Sequence, residues 1–177
     1  MDDRERAAIF EQSVLPHLDA AYNLARWLAG NDHDAQDVAQ EASLRAFKYF
    51  GSFRGENARA WLLSIVRNSF HTWLRKNRPN EKTVEINDEV LDIEDGSANA
   101  EAVNPSFADA DVVRRAIAEL PLEFREIVIL REMEGFSYKE IAELVEVPIG
   151  TVMSRLARAR KFLQKSLAAA FNPADPR

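Results

Sequence analysis

The segment spanning residues 135–165 constrains the fold most, because its pattern fits two short helices joined by a tight turn. Ser137 is a favourable N-cap, and Glu140 follows three residues later, which is the spacing of a capping box. The apolar residues of the first helix are Ile141, Ala142, Leu144 and Val145. Pro148 biases the residue before it away from helical backbone and is tolerated in the first turn of a following helix. The segment therefore predicts a helix-turn-helix.

The second helix of this pair has one apolar side and one basic side. Its apolar residues recur at helical spacing and are Val152, Leu156, Ala159 and Leu163. The opposite side carries Ser154, Ala157, Arg158, Lys161 and Lys165, with Thr151 and Arg155 on the shoulder and Met153 and Arg160 on the flanks. No acidic residue occurs from 149 to 165, although the chain has a formal net charge of -6. This pattern favours a recognition helix in a DNA major groove over the alternative of a solvated basic face.

The first part of the chain shows the helical period repeatedly. Residues 1–30 predict two helices divided at Pro16, because a proline in a helix interior costs about 3 kcal/mol. A third helix is expected from about Asp34 and a fourth over 58–75, after a loop at 51–57. The apolar residues expected on the third helix are Val38, Ala42, Leu44, Ala46, Phe47 and Phe50. Its polar face shows Asp34, Asp37, Gln40, Glu41 and Arg45.

Charge divides the chain into segments. Residues 57–80 contain no Asp or Glu, whereas the segment that follows is strongly acidic and loses the helical period. Such a segment cannot bury enough apolar surface to offset its chain entropy, so it predicts a flexible linker. We therefore expect an all-α fold of two small helical domains joined by a flexible acidic linker, the second domain containing the helix-turn-helix. The expected boundaries are 1–76 for the first domain, 77–107 for the linker, 108–171 for the second domain and 172–177 for a disordered tail.

Composition excludes several classes of function. The chain has no cysteine, so disulfides and thiolate metal sites are absent. No segment resembles a signal peptide or a membrane span, which predicts a cytoplasmic protein. The three histidines, His17, His33 and His71, are far apart and lie in no ligand or nucleophile spacing. No catalytic residue, metal or cofactor is expected, and an enzyme is disfavoured.

Two sets of motifs resemble bacterial RNA polymerase sigma factors. Residues 34–42, Phe53-Arg54-Gly55-Glu56 and Trp61-Leu62 resemble sigma region 2. Leu120-Pro121, residues 138–142 and the stretch 150–160 resemble region 4. Nothing between or before them resembles regions 3 or 1, and this arrangement resembles the extracytoplasmic-function (ECF) subfamily of the sigma-70 family. The alternatives are a helix-turn-helix regulator that is not a sigma factor, and a protein-interaction adaptor, which would leave both basic segments unexplained.

The resemblance implies that the protein binds core RNA polymerase, directs it to promoters and helps open them. The residues that match the docking surface for the clamp helices of the beta-prime subunit are Asp37, Gln40, Glu41 and Arg45. A solvated polar face would look similar at these positions. The other partners that the resemblance implies are the polymerase beta flap, promoter DNA and an anti-sigma factor that covers both domains, with no insertion into a membrane.

The two DNA elements are assigned to different domains. The residues implied in capture of the −10 element are Phe53, Arg54, Arg59, Arg67, Asn68, His71, Arg75 and Lys76. Asn68 falls at a family position that helps hold a flipped base, and Phe53 offers a stacking surface. The residues implied in −35 binding are Thr151, Met153, Ser154, Arg155, Ala157, Arg158, Arg160 and Lys161. Met153 departs from the basic residue of some relatives, and Glu146 stands where many helix-turn-helix proteins carry glycine.

Overall fold

The computed structural model describes residues 2–81 and 107–171. Within these two ranges the regular secondary structure is helical, and neither range contains a β-strand. The first range contains α1 (Asp3–Ser13), α2 (Leu18–Ala29), α3 (Asp32–Tyr49) and α4 (Ala58–Asn77). The second contains α5 (Phe107–Ala118), α6 (Leu122–Val128), α7 (Tyr138–Val145) and α8 (Ile149–Phe171). The predicted all-α fold in two helical groups is therefore confirmed. Most of the predicted linker and the whole of the predicted tail lie outside the described residues.

Local sequence signals set the helix ends of the first group. Gly30 ends α2 with φ +86°, a left-handed conformation that glycine adopts without steric cost. The side chain of Asn31 then accepts a hydrogen bond from the backbone amide of Asp34 at 2.9 Å, so α3 begins two residues before the predicted start. Pro16 lies in a single 3-10 turn, Leu15–His17, and α2 begins directly after that turn.

Only part of the apolar surface of α3 belongs to the core of the first group. This helix buries one stripe of small and branched residues, Ala35, Val38, Ala42 and Ala46. Leu44 lies on the opposite side of the helix and is 63% exposed, while Phe47 is 47% exposed. Phe47 lies at the rim, with its ring edge-on to the buried ring of Phe10 at 5.3 Å between centroids. Leu44 and Phe47 are therefore not core residues.

The helix-turn-helix forms as predicted. The hydroxyl of Ser137 accepts from the backbone amide of Glu140 at 3.1 Å, and the Glu140 carboxylate accepts from the amide of Ser137 at 2.8 Å. This reciprocal capping box begins α7. A widened π-type turn, Ile129–Met133, and Gly135 at φ +71° separate α6 from it. The apolar side of α8 packs on α6 and α7 through Val152, Leu156 and Ala159, which are buried.

The two helical groups contact each other. Helix α4 packs against α7, and α2 packs against α6. Buried residues of both groups form one continuous apolar cluster, which includes Phe70 of α4, Ile127 of α6 and Ile141 of α7. The described ranges thus form a closed arrangement in which one face of the fourth helix is covered by the second group.

Candidate nucleic-acid interface

Helix α4 presents Arg67 and His71 one turn apart, and both contact a single carboxylate of the second group. The guanidinium of Arg67 donates from Nε to Oε2 of Glu126 at 3.0 Å and from Nη2 to Oε1 at 3.1 Å. Nε2 of His71 lies 3.2 Å from Oε2 of the same residue. Two residues that the sequence assigns to −10 DNA are therefore joined to α6 in this structure.

Glu126 is almost completely excluded from solvent, with a side chain that is 1% exposed. Burial by itself would raise the pKa of the Glu126 carboxyl, because an ionised group in an apolar interior loses hydration. The hydrogen bond with His71 and the charge and hydrogen bonds of Arg67 outweigh burial, so that the pKa of Glu126 lies below its ordinary value. Glu126 is thus held as an anion by the two basic side chains of α4. The sequence pattern does not indicate it, because a glutamate beside Arg125 on a short helix belongs to no motif.

Arg59, at the start of α4, makes a second contact between the groups. Its guanidinium donates from Nη1 to the backbone oxygen of Glu134 at 2.9 Å and to the Glu134 carboxylate at 3.1 Å. The same guanidinium lies 4.4 Å from the ring centroid of Phe136, which is within the range of a cation–π interaction. A third predicted −10 residue is therefore engaged by the second group.

The loop before α4 is held by aromatic packing. The ring of Phe53 stacks on Phe50, with 6.0 Å between centroids and 19° between planes, and lies 5.0 Å from the ring of Trp61. A Cβ at Gly55 would lie only 3.2 Å from the Phe53 ring, so glycine leaves room for it. Phe53 is half-buried, whereas Arg54 is exposed and donates to the carbonyl of residue 51 at 2.8 Å. The loop therefore presents Arg54 beside a partly accessible aromatic surface.

The remaining predicted −10 residues are open to solvent. Asn68, Arg75 and Lys76 are exposed on α4. Arg78, which also belongs to the acid-free segment, instead binds Asp34 at 2.8 Å and lies over the ring of Trp73 at 5.1 Å. The structure thus divides the basic side chains of this segment into accessible ones and ones that hold other parts of the fold.

The residues predicted to bind −35 DNA occupy the first half of α8, as the sequence pattern indicates. Met153, Arg160 and Lys161 are exposed, and Thr151, Arg155, Ala157 and Arg158 are half-buried. Arg160 donates to the carboxylate of Glu132 at 2.9 Å. Ser154 departs from the prediction of a solvent-facing position, because it is 6% exposed and its hydroxyl donates to the carbonyl of Thr151 at 3.1 Å. Helix α8 packs against α5, α6 and α7, so more than its apolar stripe is covered.

A third surface lies on the solvent side of α3. Asp37, Gln40 and Glu41 are exposed, and Nε of Arg45 donates to the Glu41 carboxylate at 2.8 Å. Leu44 projects from the centre of this face. Leu44 is not among the residues that the resemblance assigns to this site, although a helical wheel of α3 places it between the polar side chains. The surface is therefore polar at its edges and apolar at its centre, which is the composition of a protein–protein contact.

One cluster of potential metal ligands occurs within the described ranges, formed by the exposed His33, half-buried Asp34 and exposed Asp37. The carboxylate of Asp34 already accepts from Asn31 and from Arg78, both at 2.8 Å. These bonds hold the pKa of Asp34 below its ordinary value, although burial opposes the shift. Within the described ranges, every helix is too short or too polar to span a lipid bilayer.

Comparison with known proteins identifies the family to which these surfaces belong. Residues 14–79 match the family model of sigma-70 region 2, and residues 110–163 match that of sigma-70 region 4. The chain is 37% identical over 142 residues to the ECF RNA polymerase sigma-E factor of Escherichia coli K12, covering 76% of this chain and 74% of that protein. The chain belongs to the ECF sigma factors. These proteins are transcription initiation factors, so the prediction that the chain is not an enzyme is confirmed.

Other relatives and solved structures agree with this assignment. The RNA polymerase sigma-H factor of Pseudomonas aeruginosa is 33% identical over 165 residues, or 89% of this chain and 86% of that protein. The ECF sigma factor SigE of Mycolicibacterium smegmatis is 34% identical over 172 residues, or 94% of this chain, but the chain spans only 64% of its length. Among solved structures, the sigma factor RpoE of Bartonella quintana, crystallised with the anti-sigma factor NepR, matches this ECF sigma factor with a TM-score of 0.69 and 32% identity. That match covers 89% of this chain and 96% of RpoE.

Proposed function

We propose that this ECF sigma factor binds core RNA polymerase through α3, captures the −10 element with α4 and the loop before it, and reads the −35 element with α8. The observation that carries the proposal is the presence of regions 2 and 4 in one chain, each with its own basic helix. A regulator that binds DNA with a helix-turn-helix alone needs only the second of these helices.

At the −10 element, Asn68 and Phe53 would receive unpaired bases, while Arg54, Arg75 and Lys76 neutralise the strand. Stacking on one aromatic side chain contributes about 1–3 kcal/mol per base. The exposure of Asn68, Arg75 and Lys76 on α4 supports this role. Arg59, Arg67 and His71 would add to the same surface after they leave their partners in the second group.

At the −35 element, the exposed and half-buried side chains of α8 would enter the major groove. Arg158, with Thr151 and Ala157, would meet base edges or sugars, while Arg155, Arg160 and Lys161 would meet phosphates. Phosphate contacts position a protein on DNA without reading its sequence. The bias of this helix toward positive charge in a chain of formal net charge -6 supports the assignment.

Binding to the polymerase would use the face of α3 that carries Asp37, Gln40, Glu41 and Arg45, with Leu44 at its centre. The clamp helices of the beta-prime subunit are the proposed partner there, and the beta flap is the proposed partner of the second group. An apolar centre within a polar rim is the composition of a protein–protein contact, and the exposed Leu44 gives this face such a centre.

An anti-sigma factor is the proposed regulatory partner, and the cytoplasm is the proposed location, where the polymerase works. The solved structure of RpoE of Bartonella quintana contains an anti-sigma factor. That relative is 32% identical to this chain and is covered almost completely by it, which supports a similar partner here.

Run-off transcription tests the proposal directly. Core RNA polymerase, the purified chain and a library of promoter fragments should yield transcripts from a subset that shares −35 and −10 sequences. Core polymerase alone should give none of these transcripts. If the chain binds the same fragments but transcription still depends on another sigma factor, the chain is a helix-turn-helix regulator and not a sigma factor.

A further inference from the structure

The carboxylate of Glu126 binds Arg67 and His71, two side chains of α4 that would otherwise be available to the −10 strand. We propose that Glu126 is an internal competitor of promoter DNA, which holds Arg67 and His71 in the closed arrangement and must release them before the −10 strand binds. This inference rests on the proposed function of α4. It assigns to one buried residue of the second group a regulatory role over the first group.

The chemistry of the three groups makes the two states mutually exclusive. A carboxylate offers Arg67 two oxygens in a fork, as a DNA phosphate does, and a guanidinium binds either partner through the same pair of N–H groups. With Nε at 3.0 Å and Nη2 at 3.1 Å from Glu126, this fork is fully used. Because the Arg67 side chain is only 15% exposed, a strand cannot reach it while Glu126 remains in place.

A second ion pair, between Arg59 and Glu134, holds a basic side chain near the start of α4. Arg59 is held by the carboxylate and backbone oxygen of Glu134 and lies over the ring of Phe136. Glu134 and Glu126 both belong to the second group, so separation of the two groups would release three basic side chains of the −10 surface at once. The closed arrangement therefore hides part of the −10 surface while Arg75 and Lys76 stay exposed.

The contact between the groups is packed in a way that permits opening. A cavity of about 290 Å³ lies between them, with Leu28 and Phe70 on one side and Pro121 and Leu122 on the other. Beside it, Oε2 of Glu123 and Nε of Arg125 are buried without a hydrogen-bond partner. Burial also raises the pKa of the Glu123 carboxyl. Unsatisfied buried polar atoms regain hydration when an interface opens, which offsets part of the cost of breaking the ion pairs.

The arrangement can be measured in the full chain without polymerase. Because the natural sequence has no cysteine, Glu11→Cys on α1 and Gln164→Cys on α8 give two exposed positions for a donor and an acceptor dye. The wild-type labelled chain should show high energy transfer, and Glu126→Gln should lower it. The probe is a random-sequence single-stranded DNA oligonucleotide, because a DNA phosphate needs the Arg67 fork whatever bases lie beside it. If about 80–90% of molecules are closed, release should tighten oligonucleotide binding about five- to tenfold.

Two further variants distinguish loss of the contact between the groups from a general loss of negative charge. Glu119→Gln removes one negative charge from an exposed position of the second group, and it should leave energy transfer and oligonucleotide affinity unchanged. Glu134→Gln should shift both readouts in the same direction as Glu126→Gln. Circular dichroism at the working temperature establishes that each variant is folded.

A measurement on the wild-type chain keeps the test independent of any variant. Saturation with the oligonucleotide should lower energy transfer, because the bound strand and the closed arrangement need the same side chains. Unchanged transfer at saturation, or a Glu126→Gln chain that matches wild type in both readouts, would overturn the proposal. If Glu126→Gln opens the chain and tightens oligonucleotide binding but wild type gives no run-off transcripts, the competition by Glu126 is supported and the proposed function is wrong.

Discussion

The backbone amide of Val147 donates to the carbonyl of Ala142 at 3.1 Å, across the turn that joins the two helices of the helix-turn-helix. Between them, Glu146 lies at φ +59°, the left-handed region, and it is the one non-glycine residue with positive φ among the described ranges. This six-to-one bond is the closing bond of a Schellman motif, which normally places glycine at the left-handed position. The small side chain of Ala142 is half-buried at the same turn.

Replacement of Glu146 by glycine should stabilise the second group. A left-handed backbone costs an ordinary L-residue roughly 1–2 kcal/mol, and glycine removes this cost. The greater conformational entropy of glycine in the unfolded chain offsets part of that stabilisation. We expect Glu146→Gly to raise the free energy of unfolding by about 0.5–1 kcal/mol in urea denaturation. Glu143→Gly, at an exposed position inside α7, should lower it by a similar amount. A destabilised Glu146→Gly chain would show that the glutamate side chain contributes more than its backbone costs.

The closed arrangement should weaken in acid. The pKa of Glu126 lies below its ordinary value of 4.5, so the ionised carboxylate stabilises the closed form above that value. The stabilisation should disappear as the pH falls through the folded-state pKa. The charged and titratable groups that face it are Arg67 and His71 on α4, and Glu123 and Arg125 on α6. Glu123 acts in the opposite direction, because burial raises its pKa and its protonation favours the closed form.

Energy transfer in the doubly labelled chain measures this dependence from pH 7 downward. His71→Gln removes one of the groups that lower the pKa of Glu126, so its acid transition should lie at a higher pH than that of wild type. Glu126→Gln should show low transfer with no transition in the same range. An identical acid transition in wild type and Glu126→Gln would assign the titration to another carboxyl group.

Truncation of Leu44 should weaken polymerase binding without unfolding the chain. Its side chain is 63% exposed at the centre of the polar face of α3, so the free protein gains little from it. Burial of a leucine side chain against a partner contributes about 1.5–3 kcal/mol, and its loss corresponds to roughly a 10- to 150-fold increase in Kd. We expect this for Leu44→Ala in binding to core polymerase, measured by fluorescence anisotropy. Leu15→Ala, which changes another exposed leucine, should bind as wild type.

Asn68→Ala should impair promoter opening more than initial binding. The side chain is exposed on α4, and its proposed role is to hold a base that exists outside the duplex only after melting. Permanganate footprinting should show fewer reactive thymines around −10, while protection of the −35 element is retained. Thr72→Ala, one turn further along the helix, serves as the matched control. Equal loss of both signals would place Asn68 in polymerase or duplex binding.

Arg158→Ala should reduce promoter-specific transcription and leave polymerase binding intact. Loss of one good base contact costs about 1–3 kcal/mol, which is roughly 5- to 150-fold in promoter affinity. Run-off transcription and co-elution with core enzyme measure the two effects separately. Lys165→Ala removes an exposed positive charge further along α8 and should have a smaller effect. If Arg158→Ala abolished binding to core enzyme, α8 would be part of the polymerase surface.

Local chemistry explains which parts of the fold were predictable. The capping box of Ser137 and Glu140, the stop at Gly30 and the turn near Pro148 each depend on residues a few positions apart, and each was found where the pattern predicts it. The predicted solvent-facing position of Ser154 is wrong, and Leu44 lies outside the core although it is apolar. Helical periodicity describes the angle between side chains, but only packing decides how many sides of a helix are covered.

The sequence by itself determined that this chain is all-helical, that it carries two basic helices, and that its motifs are those of an ECF sigma factor. Tertiary structure alone decided that Glu126 lies against Arg67, 59 residues away in the chain. A glutamate on a short helix has the same pattern whether solvent or an arginine faces it, because ion pairing depends on distance in space and on desolvation. The accessibility of the proposed −10 surface is therefore set by how the two helical groups pack, which no local pattern encodes.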